Sequence, residues 1–148
     1  MNVMKQVLNL ARRAGVAGDV PIGAAIVRDG RVIARGENLV QRKKNPTLHA
    51  EIVAINRACK KLGTKFLDDC DIYVSLEPCA MCATAISFAR IRNIYFAATD
   101  AKGGGITANA RVFENDRHLW HPNIVQMPEY ANASAELLRE FFAERRKQ

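Results

Sequence analysis

No stretch of this chain approaches the roughly 20 consecutive apolar residues that a membrane-crossing helix needs, so no spanning segment is predicted. The opening MNVMKQVLNLARRAG also lacks the apolar block of a secretory signal, because charged residues interrupt it at helical spacing. An arginine-bearing amphipathic start resembles an organelle transit peptide, but here it runs straight into the fold pattern. Internal repeats, low-complexity tracts and linkers are missing too, so residues 1–148 read as one compact domain. Cysteine is sparse, with Cys59, Cys70, Cys79 and Cys82 alone. A chain of this length buries roughly two thirds of its unfolded surface and needs no disulfide staple. A cytoplasmic chain keeps its thiols reduced, so these four are expected to be ligands or core residues.

What is present is the profile of a soluble globular protein: 49% hydrophobic and 25% charged residues. The charge is lopsided, with 22 Lys and Arg against 15 Asp and Glu, a net +7. That excess is the electrostatic footprint of a nucleic-acid partner.

Val3, Val7, Leu10, Ala11 and Ala14 fall at helical spacing and predict a helix over 2–14 that ends near Gly15. PIGAAIVRDGRVIARGEN predicts a hairpin turning at Asp29-Gly30, its first strand buried on both faces. Ile52, Ile55, Cys59 and Leu62 predict one face of a helix that stops near Gly63. DIYVSL and NIYFAA read as strands, CAMCATAISFAR between them as a helix buried all round, and NIVQM as a last strand. GGGITANARVF begins as a loop, and Leu137, Leu138, Phe141 and Phe142 predict a final helix ending in RRK. A helix, a hairpin, then alternating helices and strands predict a mixed sheet with helices on both faces.

Chemistry concentrates in two short runs, PTLHAEIVAI and SLEPCAMC. Pro78 suits the first position of a helix, where a missing N–H costs nothing. Cys79 and Cys82 then stand at i and i+3, both sulfurs on one face near an electropositive helix start that favours thiolates. Two thiolates at this spacing suit zinc, and His49 is the natural third ligand. Three protein ligands leave one tetrahedral position open, which separates catalytic zinc from structural zinc. No good fourth ligand is apparent: His118 and His121 read as surface residues, Cys59 as core and Cys70 as structural. Glu51, in the same helix start as His49, is placed to act as general base and then general acid. Either motif alone has a bland reading. H-x-E is commonly a polar helix start, and C-x-x-C serves as a redox pair or half of a structural zinc site. Together they form the H-x-E…P-C-x-x-C signature of zinc deaminases, which is known from that enzyme class.

At these residues the chain resembles the cytidine/deoxycytidylate deaminase superfamily, and within it the bacterial tRNA adenosine deaminases that make inosine at the wobble position. DVPIGAAIV, PTLHAE, LEPCAMC, TDAKGGG and LLREFFAERRK carry the resemblance, which runs through nearly the whole chain. It implies a three-layer α/β/α fold around a five-stranded mixed sheet. It implies Zn²⁺, one per subunit, on His49, Cys79 and Cys82, with Glu51 as proton shuttle. It also implies substrate contacts at Asn38, Pro78, Asp100, Lys102 and Phe142. The partners it implies are a tRNA anticodon loop, by family habit that of an arginine tRNA, and a second copy of the chain. Arg42-Lys43-Lys44 and Arg145-Arg146-Lys147 would then lie near an RNA path. Thr84 stands where the family often has glycine, and residues 103–121 depart from its usual sequence. Deaminases of free guanine or cytosine share the core motifs and are the competing expectation.

Overall fold

The computed structural model describes residues 2–147. The helices are α1 (Val3–Val16), α2 (Val40–Lys43), α3 (Ala50–Leu62), α4 (Ala80–Phe88), α5 (Val112–Asn115) and α6 (Ala131–Arg146). The strands are β1 (Gly23–Arg28), β2 (Arg31–Glu37), β3 (Cys70–Leu76), β4 (Asn93–Ala98) and β5 (Asn123–Gln126). Asn2 caps α1 by accepting the Lys5 N–H on its side-chain oxygen. The β1–β2 hairpin turns at Asp29 and Gly30, both in the left-handed region at φ 51° and 73°, the geometry of a two-residue hairpin turn.

One five-stranded sheet runs in the order β2-β1-β3-β4-β5. β1 is antiparallel to β2 and β3, whereas β3, β4 and β5 are parallel. The alternation of side chains along each strand sorts the core into two layers. Ala24, Ile26, Ile72, Val74, Ile94 and Phe96 face α3 and α4. Ala25, Tyr73 and Ala97 face α1 and α6. The result is the three-layer arrangement expected from the resemblance.

The parallel β3–β4 pair aligns Leu76 with Ala98. Their carboxyl ends therefore lie side by side and deliver the segments from 77 and from 99 to one edge of the molecule. On the other side of the site, Gly36 brings β2 against the start of α3. A Cβ on Gly36 would stand 2.3 Å from the Ala50 carbonyl oxygen and 2.7 Å from the Ala54 nitrogen. Only bare backbone lets the helix approach that closely.

Several expectations shift. The deeply buried face of α3 is Ala50, Glu51, Val53, Ala54, Ile55 and Ala58. Of the predicted stripe only Ile55 belongs to it, while Ile52, Cys59 and Leu62 form a partly buried flank. Small alanines sit innermost because the helix rides so close to the sheet. α4 is not buried all round: Met81 is 37% and Phe88 69% exposed. It also starts later than Pro78 implied, with Cys79 as its N-cap. α2 and α5, each four residues long, are too short to leave a periodic signal. Cys70 is buried and Cys59 partly so, both are free thiols, and burial pushes Cys70 up to about 12. His118 and His121 are exposed. Among the described residues no helix is long and apolar enough to cross a membrane.

Candidate active site

His49 is the N-cap of α3 and Cys79 the N-cap of α4. Both hold extended backbone, and neither uses its side chain to cap its helix. Cys82 lies in the first turn of α4 and is buried. The His49 Nδ1 is 3.6 Å from the Cys79 Sγ and 3.5 Å from the Cys82 Sγ. All three donor atoms fall within 4.8 Å of one another. Zinc bonded tetrahedrally to nitrogen at about 2.05 Å and sulfur at about 2.3 Å sets their separation near 3.5 Å. The triangle therefore has the size and the donor set of a single zinc site with one position left for a non-protein ligand. Two helix N-termini point their partial positive charge at it and favour thiolates.

The electrostatics fit a cation site. A hydrogen bond from the Cys82 thiol, helped against burial by His49, holds Cys79 down to about 4. Cys82, the donor in that bond and itself buried, is pushed far up. The Cys79 bond, working against burial and aided by the charges of Glu51 and Cys79, raises His49.

Glu51 is the second residue of α3 and only 4% exposed. Burial and the neighbouring Cys79 thiolate push its carboxyl up to about 7, although its backbone N–H, His49 and a hydrogen bond with Cys82 oppose them. The carboxyl therefore feels the charges of the thiol triangle without belonging to it. The helix start places it there: His49 occupies the cap, and the residue two further on is buried.

The expected substrate residues fall in two groups. Asp100, Lys102 and Phe142 line one cleft of about 400 Å³ together with Val20, Ile22 and Leu76. Asp100 Oδ1 accepts the N–H groups of Lys102 and Gly103, so one of its oxygens shapes its own loop. Phe142 is 47% exposed at the mouth. Asn38 and Pro78 are outside that lining. Pro78 is buried beneath Gly105, whose N–H donates to the Pro78 carbonyl at 2.8 Å. Asn38 is 5% exposed, with its N–H on the Ile22 carbonyl and its Oδ1 accepting the Val40 N–H. That second bond fixes the amide so that its NH₂ is the free end. Ile22 links the two groups, since it lines the cleft and anchors Asn38.

Two carboxylates that sequence reasoning did not single out support these groups. Asp19 is fully buried and accepts from the Gln41 N–H at 2.6 Å and from Arg42 Nε at 2.7 Å. Arg42 also donates to Glu37 at 2.9 Å and to the Asn38 carbonyl at 2.8 Å. Arg42 is thus engaged by the protein's own acceptors although part of its side chain is exposed, while its neighbours Lys43 and Lys44 are exposed. Arg145 is likewise engaged, donating to the Gly18 carbonyl and stacking 4.4 Å over Phe141. Glu77, the residue before Pro78, is the other carboxylate. The available signal for Glu77 was a charged residue directly after an apolar strand run, a costly place for a charge unless it is paired, whereas Asp19, between α1 and β1, left no such signal.

Burial alone would raise Asp19, but the Arg42 bond and the Gln41 and Arg42 backbone N–H bonds outweigh it, so its pKa falls below the ordinary 3.8. A carboxyl depressed by folding stabilises at pH values above its unfolded pKa, and that stability disappears as pH falls through the folded value. Asp19→Asn is expected to lose about 1–2 kcal/mol at neutral pH, since it removes the charged acceptor of the Arg42 and Gln41 bonds at a fully buried position. The variant's urea midpoint should also be flatter than wild type as pH is lowered below about 4. Parallel acid limbs in the two proteins would remove Asp19 from the account.

The model of the MafB19-like deaminase family matches residues 1–146. A tRNA-specific adenosine deaminase of Agrobacterium fabrum is 47% identical over 144 residues, covering 97% of this chain and 93% of the relative. A solved structure from work on A-to-I editing by tRNA:A34 deaminases at the wobble position of transfer RNA superposes with a TM-score of 0.88 at 46% identity. It covers 91% of this chain and 97% of that one. A guanine deaminase of Bacillus subtilis is 51% identical over 94 residues, covering 62% of this chain and 59% of its own.

Proposed function

The chain belongs to the MafB19-like deaminase family, and from that premise we propose that it is a zinc-dependent hydrolase converting adenosine to inosine at the wobble position of tRNA. The observation that carries this reading is the His49–Cys79–Cys82 triangle with buried Glu51 against it, in a chain that parallels tRNA-specific adenosine deaminases from end to end. The tRNA-specific relative matches 97% of this chain at 47% identity, whereas guanine deaminases match either 62% of it or nearly all of it at only 27% identity, so the free-base alternative is disfavoured.

His49 Nδ1, Cys79 Sγ and Cys82 Sγ would hold the zinc. When bound, zinc supplies a Lewis acid that makes water acidic enough to react at neutral pH. Glu51 takes a proton from the attacking water and gives it to a ring nitrogen as oxygen adds to C6 of adenine. It then carries the second proton to the exocyclic amine, which leaves as ammonia, so adenosine and water become inosine and ammonia. Glu51 is suited to this because its carboxyl stands beside the metal ligands and is shielded from bulk water. Asn38 donates to the base from its fixed amide. Asp100, Lys102 and Phe142 receive the flanking nucleotide in their cleft. A base must leave the stack to reach Glu51, which favours an unpaired loop nucleotide over one in a duplex.

Residues 1–148 act as a single deaminase domain in this reading, working in the cytoplasm on an arginine tRNA. The chain is read as a homodimer, and the exposed apolar side chains of Met81, Phe88 and Trp120 support a covered surface there. The deciding experiment offers purified protein an arginine anticodon stem-loop, free guanine and free cytosine. Inosine in the RNA alone is the expected result. Ammonia from a free base alone would overturn the assignment.

A further inference from the structure

Glu77 is a carboxylate buried to 3% exposure that the reaction described above does not use. Four donors converge on it, all from the segment that follows β4. Its Oε1 accepts the Asp100 N–H at 3.3 Å and the Thr107 hydroxyl at 2.7 Å. Its Oε2 accepts the Ile106 N–H at 3.1 Å and the Thr107 N–H at 2.9 Å. The segment between these donors has been stripped of side chains where it passes the carboxylate. A Cβ on Gly104 would lie 2.3 Å from Glu77 Oε2, and one on Gly105 would lie 2.4 Å from the Ala80 nitrogen. Asn109 closes the loop by donating to the carbonyls of Lys102 and Gly104. The loop is thus wrapped around one anion and laid on the first turn of α4.

We propose that Glu77 is a positioning residue that fixes the 100–107 loop to the Pro78–Cys82 turn, so that Asp100 and Lys102 meet the substrate at a set distance from the metal ligands. This rests on the reading of Asp100 and Lys102 as substrate contacts. The geometry suits the task. Glu77 immediately precedes Pro78, and its own N–H donates to the Ala98 carbonyl at 2.8 Å. The carboxylate is therefore rooted in the metal-side strand, and its oxygens face only donors of the substrate-side loop. A glutamine in its place would turn an NH₂ toward N–H groups and lose one whole set of acceptors. Gly104 and Gly105 are what allow this wrapping. The loop can close on Glu77 only where it carries no Cβ.

The test compares wild type, Glu77→Gln, Thr107→Val and Thr107→Ser on the arginine anticodon stem-loop, with zinc content and thermal melting measured alongside. Thr107→Val deletes one hydroxyl bond to Glu77 and nothing else. It is expected to raise KM about tenfold while kcat and zinc content stay close to wild type. Thr107→Ser restores the hydroxyl and should restore KM. Glu77→Gln should raise KM further, about a hundredfold, with zinc retained. An unchanged KM in Glu77→Gln overturns the inference, as does an unchanged KM in Thr107→Val if the glutamine variant fails to fold. Loss confined to kcat and tracking lost zinc also overturns it, because Glu77 would then serve only the metal turn. If wild type makes no inosine but releases ammonia from guanine, the substrate assignment falls, and the same four proteins are compared on guanine. A KM rise there sustains the role of Glu77, and its absence overturns it.

Discussion

Glu51→Gln keeps its fold and its zinc but loses deamination by about a thousandfold or more in kcat, the range expected when a positioned acid–base group is removed. Glutamine is nearly isosteric and cannot accept or release the two protons the reaction moves. The site is pre-built without Glu51 as a ligand: the three donor atoms that gather within 4.8 Å are those of His49, Cys79 and Cys82. Metal content should therefore equal that of wild type by elemental analysis. KM should change far less than kcat, because the proposed substrate contacts, Asn38 and the Asp100, Lys102 and Phe142 cleft, are left intact. Turnover near the wild-type rate would remove Glu51 from the chemistry.

Cys79→Ala and Cys82→Ala have a different signature, the loss of zinc together with activity. Two remaining donors cannot complete a tetrahedral site. Metal binding is coupled to folding when the ligands come from separate elements, and here they join α3 to α4. A chelator should accordingly lower the melting temperature of wild type by about 5 °C or more. The same chelator should leave either cysteine variant unmoved, since each already lacks the ion. Cys70→Ala is the control. Its thiol is buried on the sheet away from the triangle, so it should keep metal and activity while paying a modest packing cost. Stoichiometric zinc in Cys79→Ala would refute the ligand set.

Much of the fold was legible because its elements carry strong local signals. The β1–β2 hairpin announces itself through Asp29-Gly30 between two apolar runs, and α1 through a clean apolar stripe. The metal triangle was legible for a related reason. Soft and imidazole donors in the first turns of helices have few other reasons to recur at that spacing. The buried face of α3 was not legible. Alanines and a glutamate carry little hydrophobic signal, and which side of that helix is innermost depends on how closely Gly36 admits it. The exposed Phe88 end of α4 was missed for the converse reason, since an apolar sequence does not say which of its faces is left uncovered.

Asp19, Arg42 and Glu77 mark the clearest boundary. In sequence each is one more charged residue, and Arg42 sits in a basic run that invites an RNA partner. Their partners lie far along the chain: Arg42 reaches Asp19 across 23 positions, and Thr107 reaches Glu77 across 30. No periodicity or motif encodes such pairings. They follow from β2 lying beside β1 and β4 beside β3, which brings the segments flanking each pair together. The sequence by itself determined which histidine, cysteines and glutamate could gather, and the elements that carry them, because those depend on residue type and short spacing. Only the tertiary structure decided which charges are paired within the protein and which loop is tied to the Pro78–Cys82 turn. Burial and long-range hydrogen bonding set those outcomes, and neither exists until the sheet has formed.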